Sequence, residues 1–178
     1  MANRTIISEI SHFITSYDPQ GKSTFLAAPN PPLVQQSNDS LRVDYIYSTV
    51  ASPNGPVLTD RDDYRKNEDV RREHPYVMFP LAGGSAAMVA SFAPNPDGKE
   101  GFMHRSQTLD YVFIIDGELE LSLDSGEKRI MKPGDVCVQR ASQHSWKNLS
   151  KTEFARFGAV TLGIEGAKLN EMIFPEAV

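Results

Sequence analysis

Histidine occurs at positions 12, 74, 104 and 144, and only His104 and His144 stand where strand-like segments begin after a polar or turn-rich loop. A carboxylate, Asp110, follows the first of them in the same strand-forming region. Side chains alternate between the two faces of an extended strand. His104, Ser106 and Asp110 are therefore expected on one face, and His144, Trp146 and Asn148 on one face of another strand. An imidazole titrates near neutral pH, and a carboxylate beside it can orient it or share its proton, which suits general acid/base work. His104, Asp110 and His144 also make a two-histidine, one-carboxylate set of the kind that holds Fe(II) with positions open for substrate and oxygen. Both chemistries stay open at this level. His12 and His74 fall outside the pattern and are expected to be exposed or to serve packing.

The neighbours of these three residues have two readings each. Ser106 offers a neutral hydroxyl to a pocket or a metal. Arg140 precedes the polar loop that delivers His144, and its planar fork could hold a substrate carboxylate or enolate; a salt bridge at the rim is the plainer role. Trp146 has the parity of His144 and could stack on a flat ring, or simply fill the core. Tyr45 and Tyr47 share strand parity and could line the same cavity. Arg105 should point outward.

The elements that must carry these groups are mostly strands. The stretches 111–115, 119–123, 128–131, 136–139 and 154–162 are β-forming, and Asp116-Gly117, Asp124-Ser125-Gly126 and Pro133-Gly134-Asp135 punctuate them. Short strands at regular spacing with turn signals imply an antiparallel sandwich or barrel. Further strands are expected at 86–92, at 42–50, and in a hairpin pairing 13–15 with 23–25 around Asp18-Pro19-Gln20-Gly21. Pro29-Asn30-Pro31-Pro32 reads as loop, the charged stretch 60–73 as a surface helix or ordered loop, and 166–173 as a short C-terminal helix.

Composition narrows the function. A net charge of -5 disfavours nucleic acid and anionic membrane as partners, since phosphate binding needs a cationic face. The lone Cys137 excludes an internal disulfide and, within Val136-Cys137-Val138, reads as a structural thiol. The polar N-terminus and the lack of a long apolar run make a cytoplasmic protein the expectation. The length of 178 residues suits one domain, with strands and loops over 1–85, a barrel core over 86–163 and a tail over 164–178.

The spacing of the motifs resembles the cupin superfamily. The first cupin motif, G-x5-H-x-H-x3,4-E-x6-G, is matched in every interval by Gly98, His104, Ser106, Asp110 and Gly117. Ser106 stands where the family has its second histidine, and Asp110 where it has glutamate. The second motif is represented by Gly134, His144 and Asn148, with Arg140 at the proline position and a loop one residue shorter before His144. The run 133–148, with His104-Arg105-Ser106 and Asp110-Tyr111 upstream, is similar to small single-domain cupins found with natural-product, particularly polyketide, pathways. The resemblance implies an all-β antiparallel jelly roll with short peripheral helices, and a small-molecule site inside it. It implies at most one divalent metal (Fe, Mn, Zn or Ni), weakly bound or absent at the altered ligand set, and no nucleotide cofactor. The implied partners are a small-molecule substrate and a second copy in a homodimer. The implied activity is acid/base chemistry (dehydration, cyclisation, isomerisation or decarboxylation) on an oxygenated, aromatic or polyketide-derived metabolite. A mononuclear Fe(II) oxidoreductase and a non-catalytic binding cupin are the alternatives.

Overall fold

A computed structural model of the protein describes residues 10–25, 33–37, 40–49 and 77–175. The strands, in chain order, are β1 (Thr15–Tyr17), β2 (Ser23–Phe25), β3 (Leu33–Ser37), β4 (Leu41–Thr49), β5 (Ser85–Phe92), β6 (Thr108–Asp116), β7 (Leu119–Leu123), β8 (Lys128–Met131), β9 (Val136–Arg140), β10 (His144–Asn148) and β11 (Ala155–Gly163). A six-stranded sheet in the order β3-β4-β5-β11-β6-β9 faces a three-stranded sheet, β10-β7-β8, and every strand pair is antiparallel. This is the jelly-roll barrel implied by the motif spacing. The hairpin β1-β2 stands apart.

Alternation of burial builds the barrel wall. In β6, Thr108, Asp110, Val112 and Ile114 are buried, whereas Tyr111, Phe113 and Ile115 on the opposite face are exposed. Ile114, Leu119, Leu121, Met131 and Ala155 close one part of the interior as a packed apolar cluster. The motif glycines make the turns: Gly98, Gly117 and Gly134 all have positive φ, a region other residues enter only with strain. At Gly117 a Cβ would also meet Ala155 at 2.8 Å.

Several expectations shift. The first hairpin strand lies at Thr15–Tyr17 rather than 13–15, because the side chain of Asp18 accepts hydrogen bonds from the amides of Gln20 and Lys22 and sets the turn there. The C-terminal helix does not form. Gly166 and Asn170 both have positive φ, and Ile173 exchanges backbone hydrogen bonds with Arg105 instead of with its own preceding turn. There is no α-helix among the described residues, and none long and apolar enough to cross a membrane. The loop at 29–32, the charged stretch 60–73, His74 and the end of the 42–50 strand, Val50, lie outside the described residues.

Candidate active site

His104 and His144 come together because the segment before β6 pairs with the start of β10. The two residues exchange both backbone hydrogen bonds, at 2.9 and 2.8 Å, and their ring centroids are 4.5 Å apart. Each ring is held by a backbone carbonyl two residues upstream. His104 Nδ1 is 3.3 Å from the oxygen of Phe102, and His144 Nδ1 is 2.9 Å from that of Ser142. A carbonyl only accepts, so each Nδ1 carries the hydrogen and each Nε2 keeps its lone pair. Asp110 is therefore not what sets these tautomers, contrary to the role the sequence offered it.

One turn of the loop before His104 is fixed by lack of room. A Cβ on Gly101 would lie 2.1 Å from the carbonyl oxygen of Trp146, so the chain runs flush against β10 there. That contact delivers Phe102 to the ring of His104, with centroids 4.8 Å apart.

The histidines, Asp110, Gln139 and Trp146 line a cavity of about 190 Å³ in the barrel interior, walled otherwise by apolar side chains such as Val43, Met88, Phe92 and Phe157. Trp146 packs on Phe157 with ring centroids 5.2 Å apart. An adjoining groove under the loop at 94–102 shares Leu41, Phe92, Phe102 and Trp146 with the cavity.

Burial reorders the acidities. Loss of water pushes the Asp110 carboxyl up to about 6, against a smaller lowering by the hydroxyl of Thr108. Loss of water is also the main cause bringing His144 down to about 4, and it lowers His104 in the same way. Cys137 is half-buried and its thiol is raised, first by burial and then by the charge of Asp110, which suits an inert structural group.

The remaining candidates separate. Ser106 is buried, but its hydroxyl is 2.6 Å from that of Thr108 and it does not line the cavity. Asn148 is structural: Nδ2 donates towards the carbonyls of Phe92, Ala93 and Glu153, and Oδ1 accepts from the amide of Ser150. Tyr45 packs in the core, and Tyr47 does not share its face. The register slips at Ile46, so Tyr45 lies opposite Met88 but Tyr47 opposite Ala87 on the outer side. A one-residue irregularity reverses parity. Arg140 is exposed on the outer face opposite Leu109, away from the cavity. Arg105 is exposed, as expected. Gln139 was missed. Its signal is inward parity with Cys137, which becomes informative only once the register sets it opposite Asp110.

Among the described residues no group of three or more His, Cys, Asp or Glu is placed to hold a metal ion. The two imidazoles are adjacent, but the Asp110 carboxylate does not complete a ligand set with them. Aspartate is one methylene shorter than the glutamate it replaces, and Ser106 cannot supply an imidazole. A resident metal therefore does not fit these residues as they stand.

Two antiparallel sheets with a polar cluster in the interior between them are the architecture of the cupin class. No protein-family model matches the chain. Curated relatives do. Oryzines biosynthesis cluster protein J of Aspergillus oryzae is 35% identical over 172 residues, 93% of this chain and 92% of that protein. Phomopsin biosynthesis cluster protein D of Diaporthe leptostromiformis is 37% identical, over 85% of this chain and 77% of the relative. The cupin-domain-containing oxidoreductase srdD of Neurospora crassa is 37% identical, over 81% and 69%. The solved structure of the polyketide cyclase RemF from Streptomyces resistomycificus matches the fold at a TM-score of 0.50, over 83% of this chain and 82% of that one, at 12% identity. The chain belongs to the cupin-domain family of biosynthesis-cluster proteins.

Proposed function

We propose that this cupin is a small-molecule enzyme doing acid/base chemistry inside its barrel, with Asp110 as the group that takes the substrate proton. The observation that carries the reading is the inverted order of acidities, Asp110 near 6 and His144 near 4, in one apolar cavity. At neutral pH the carboxylate is then ionised and the imidazoles are neutral. A base works best when its pKa lies near the working pH, so Asp110 is better poised than His144 to abstract a proton. The Nε2 atoms of His104 and His144 accept hydrogen bonds from substrate hydroxyls and orient them, and Trp146 supplies a flat wall. Dehydration, cyclisation, isomerisation and decarboxylation can all use such a group. The names of the relatives support a substrate from a biosynthesis cluster, and an oxygenated metabolite is the class such a cavity would suit.

The test is turnover of candidate cluster intermediates by the purified chain. Asp110→Asn is expected to lower kcat by roughly 10²–10⁴-fold, the usual worth of a general base. The profile of kcat/KM should rise with pH through an apparent pKa of about 6, and that limb should vanish in Asp110→Asn. Undiminished turnover by that variant removes Asp110 from the mechanism.

A second reading, an oxidoreductase, draws on the relative srdD, a cupin-domain-containing oxidoreductase, and a bound metal would be the means of such chemistry here. Calorimetric titration with Fe(II), Mn(II) and Zn(II) decides between them. Weak binding is expected from two imidazoles without a carboxylate. Tight stoichiometric binding abolished by His104→Ala would replace the first reading with the second.

A further inference from the structure

We infer that Asp110 and Gln139 form a paired acceptor and donor in the cavity wall, which recognises an uncharged single-ring compound carrying a hydroxyl group beside a carbonyl oxygen. This rests on the cavity being the substrate site, as proposed above, but not on which group moves the proton. The two residues lie directly opposite each other across the antiparallel strands β6 and β9. Such partners hold their Cβ atoms about 4.5–5.5 Å apart on one face. Both line the cavity, at 5% and 4% exposure. Asp110 Oδ1 and Gln139 Nε2 have no hydrogen-bond partner among the described residues. Buried polar atoms are rarely left unpaired, because each loses its water without compensation. Two cavity-lining residues paired across neighbouring strands, each with an unpartnered polar atom of opposite hydrogen-bonding sense, are complementary to a ligand with a donor next to an acceptor.

The other polar groups of the wall sharpen the class. Thr161 already donates its hydroxyl to the carbonyl of Met78 at 2.7 Å. The two histidines present acceptor nitrogens to the interior. Gln139 is thus the donor that stands beside Asp110, and a carbonyl oxygen is its natural partner. No lysine or arginine lines the cavity among the described residues, so a carboxylate or phosphate would meet acceptors and a carboxyl group with no cation to offset them. An ammonium ligand could pair with Asp110 but would leave Gln139 unanswered. Size sets the last limit. An apolar cavity of about 150 Å³ holds a benzene; about 190 Å³ takes one ring with short substituents, and any longer substituent would have to continue into the adjoining groove.

The test needs no knowledge of the natural substrate. Methylcyclopentenolone is a neutral ring with a hydroxyl beside a carbonyl. Its methyl ether lacks the donor, methylcyclopentanol lacks the carbonyl, and cyclopentanecarboxylate is an anion of similar size. Binding is read on the full chain from the indole N–H resonance of Trp146, which is unambiguous because the chain has one tryptophan. Methylcyclopentenolone is expected to shift that resonance, with the three controls weaker by about threefold to tenfold, the worth of one hydrogen bond. Gln139→Leu should bind methylcyclopentenolone and methylcyclopentanol equally while still discriminating against the methyl ether. Gln139→Met, which keeps the length of the side chain but removes the donor, should do the same. Equal binding of all four compounds, tighter binding of the carboxylate, no shift with any of them, or wild-type selectivity in both Gln139 variants would overturn the assignment. A lost selectivity beside an intact pH limb near 6 would sink this pairing alone, whereas the converse result would sink only the acid/base reading.

Discussion

At pH 5 an unfolded chain carries Asp110 as a carboxylate and His144 as an imidazolium, whereas the folded barrel holds both uncharged. Asp110 rises from 3.8 to about 6 on folding, so its contribution to stability is full below 3.8 and is lost as pH climbs through 6. His144 falls from 6.5 to about 4, so its contribution is full above 6.5 and is lost as pH drops through 4. Between those limits folding exchanges one proton for another and the pair adds little slope. Single substitutions expose the two halves. His144→Ala should grow less stable as pH rises from 4 to 6, by less than the roughly 3 kcal/mol of Asp110 alone because the remaining His104 opposes it, and Asp110→Asn less stable as pH falls from 6.5 to 4, by on the order of 3 kcal/mol. His104, lowered in the same sense as His144, adds to the acid-side loss. Urea denaturation at a series of pH values measures both slopes; parallel curves for wild type and variants would mean that the buried groups titrate normally. At pH 7 Asp110→Asn should be at least as stable as wild type despite its lost turnover, since it removes a buried charge.

At the level of elements, the site depends on β10 being held at both ends. Its first residue, His144, is locked to His104, and its last, Asn148, ties the end of β5 to the turn at 150–153. Between them the loop at 94–102 lies flush on Trp146 through Gly101. Asn148→Ala would strip partners from three carbonyls and one amide in a buried place. Its cost is expected to be roughly 2–4 kcal/mol, read as a lowered Tm. Because Asn148 does not line the cavity, binding of methylcyclopentenolone should survive below the transition. A Tm equal to wild type would show that Asn148 is not the staple its geometry indicates. The irregularity at Ile46 acts on the same scale, turning Tyr47 out of the barrel while leaving Tyr45 in it.

On the whole molecule, the outer face of β6 and β9 is apolar as well. Tyr111, Phe113, Ile115, Val136 and Val138 are all exposed there, and the cross-strand pairs Tyr111–Val138 and Phe113–Val136 make the patch continuous. The strand β9 has no further neighbour in its sheet among the described residues. A continuous apolar face of this kind is uncommon on a monomer, and a second copy of the chain is the expected occupant. Sedimentation should show a dimer, and Phe113→Glu combined with Val136→Glu a folded monomer. A wild-type chain that sediments as a monomer would end that expectation.

Local chemistry was legible in the sequence. Turn glycines need positive φ, and Gly98, Gly117 and Gly134 adopt it; strand alternation carried His104, Asp110, His144 and Trp146 to one interior. Motif intervals located the barrel because they measure strand and turn lengths, which are properties of neighbouring residues. What depended on partners distant in sequence was not legible. Parity cannot see a register slip, so Tyr47 was placed on the wrong face. Arg140 was one position out of phase with the inward residue, Gln139, because only pairing with β6 sets which face of β9 looks inside. The C-terminal segment carries helix-compatible residues, yet its hydrogen bonds go to Arg105 and Phe79, far away in sequence. The acidities follow the same rule. Residue type sets the ordinary values, but exclusion of water, a property of the closed barrel, pushes a carboxyl above an imidazole.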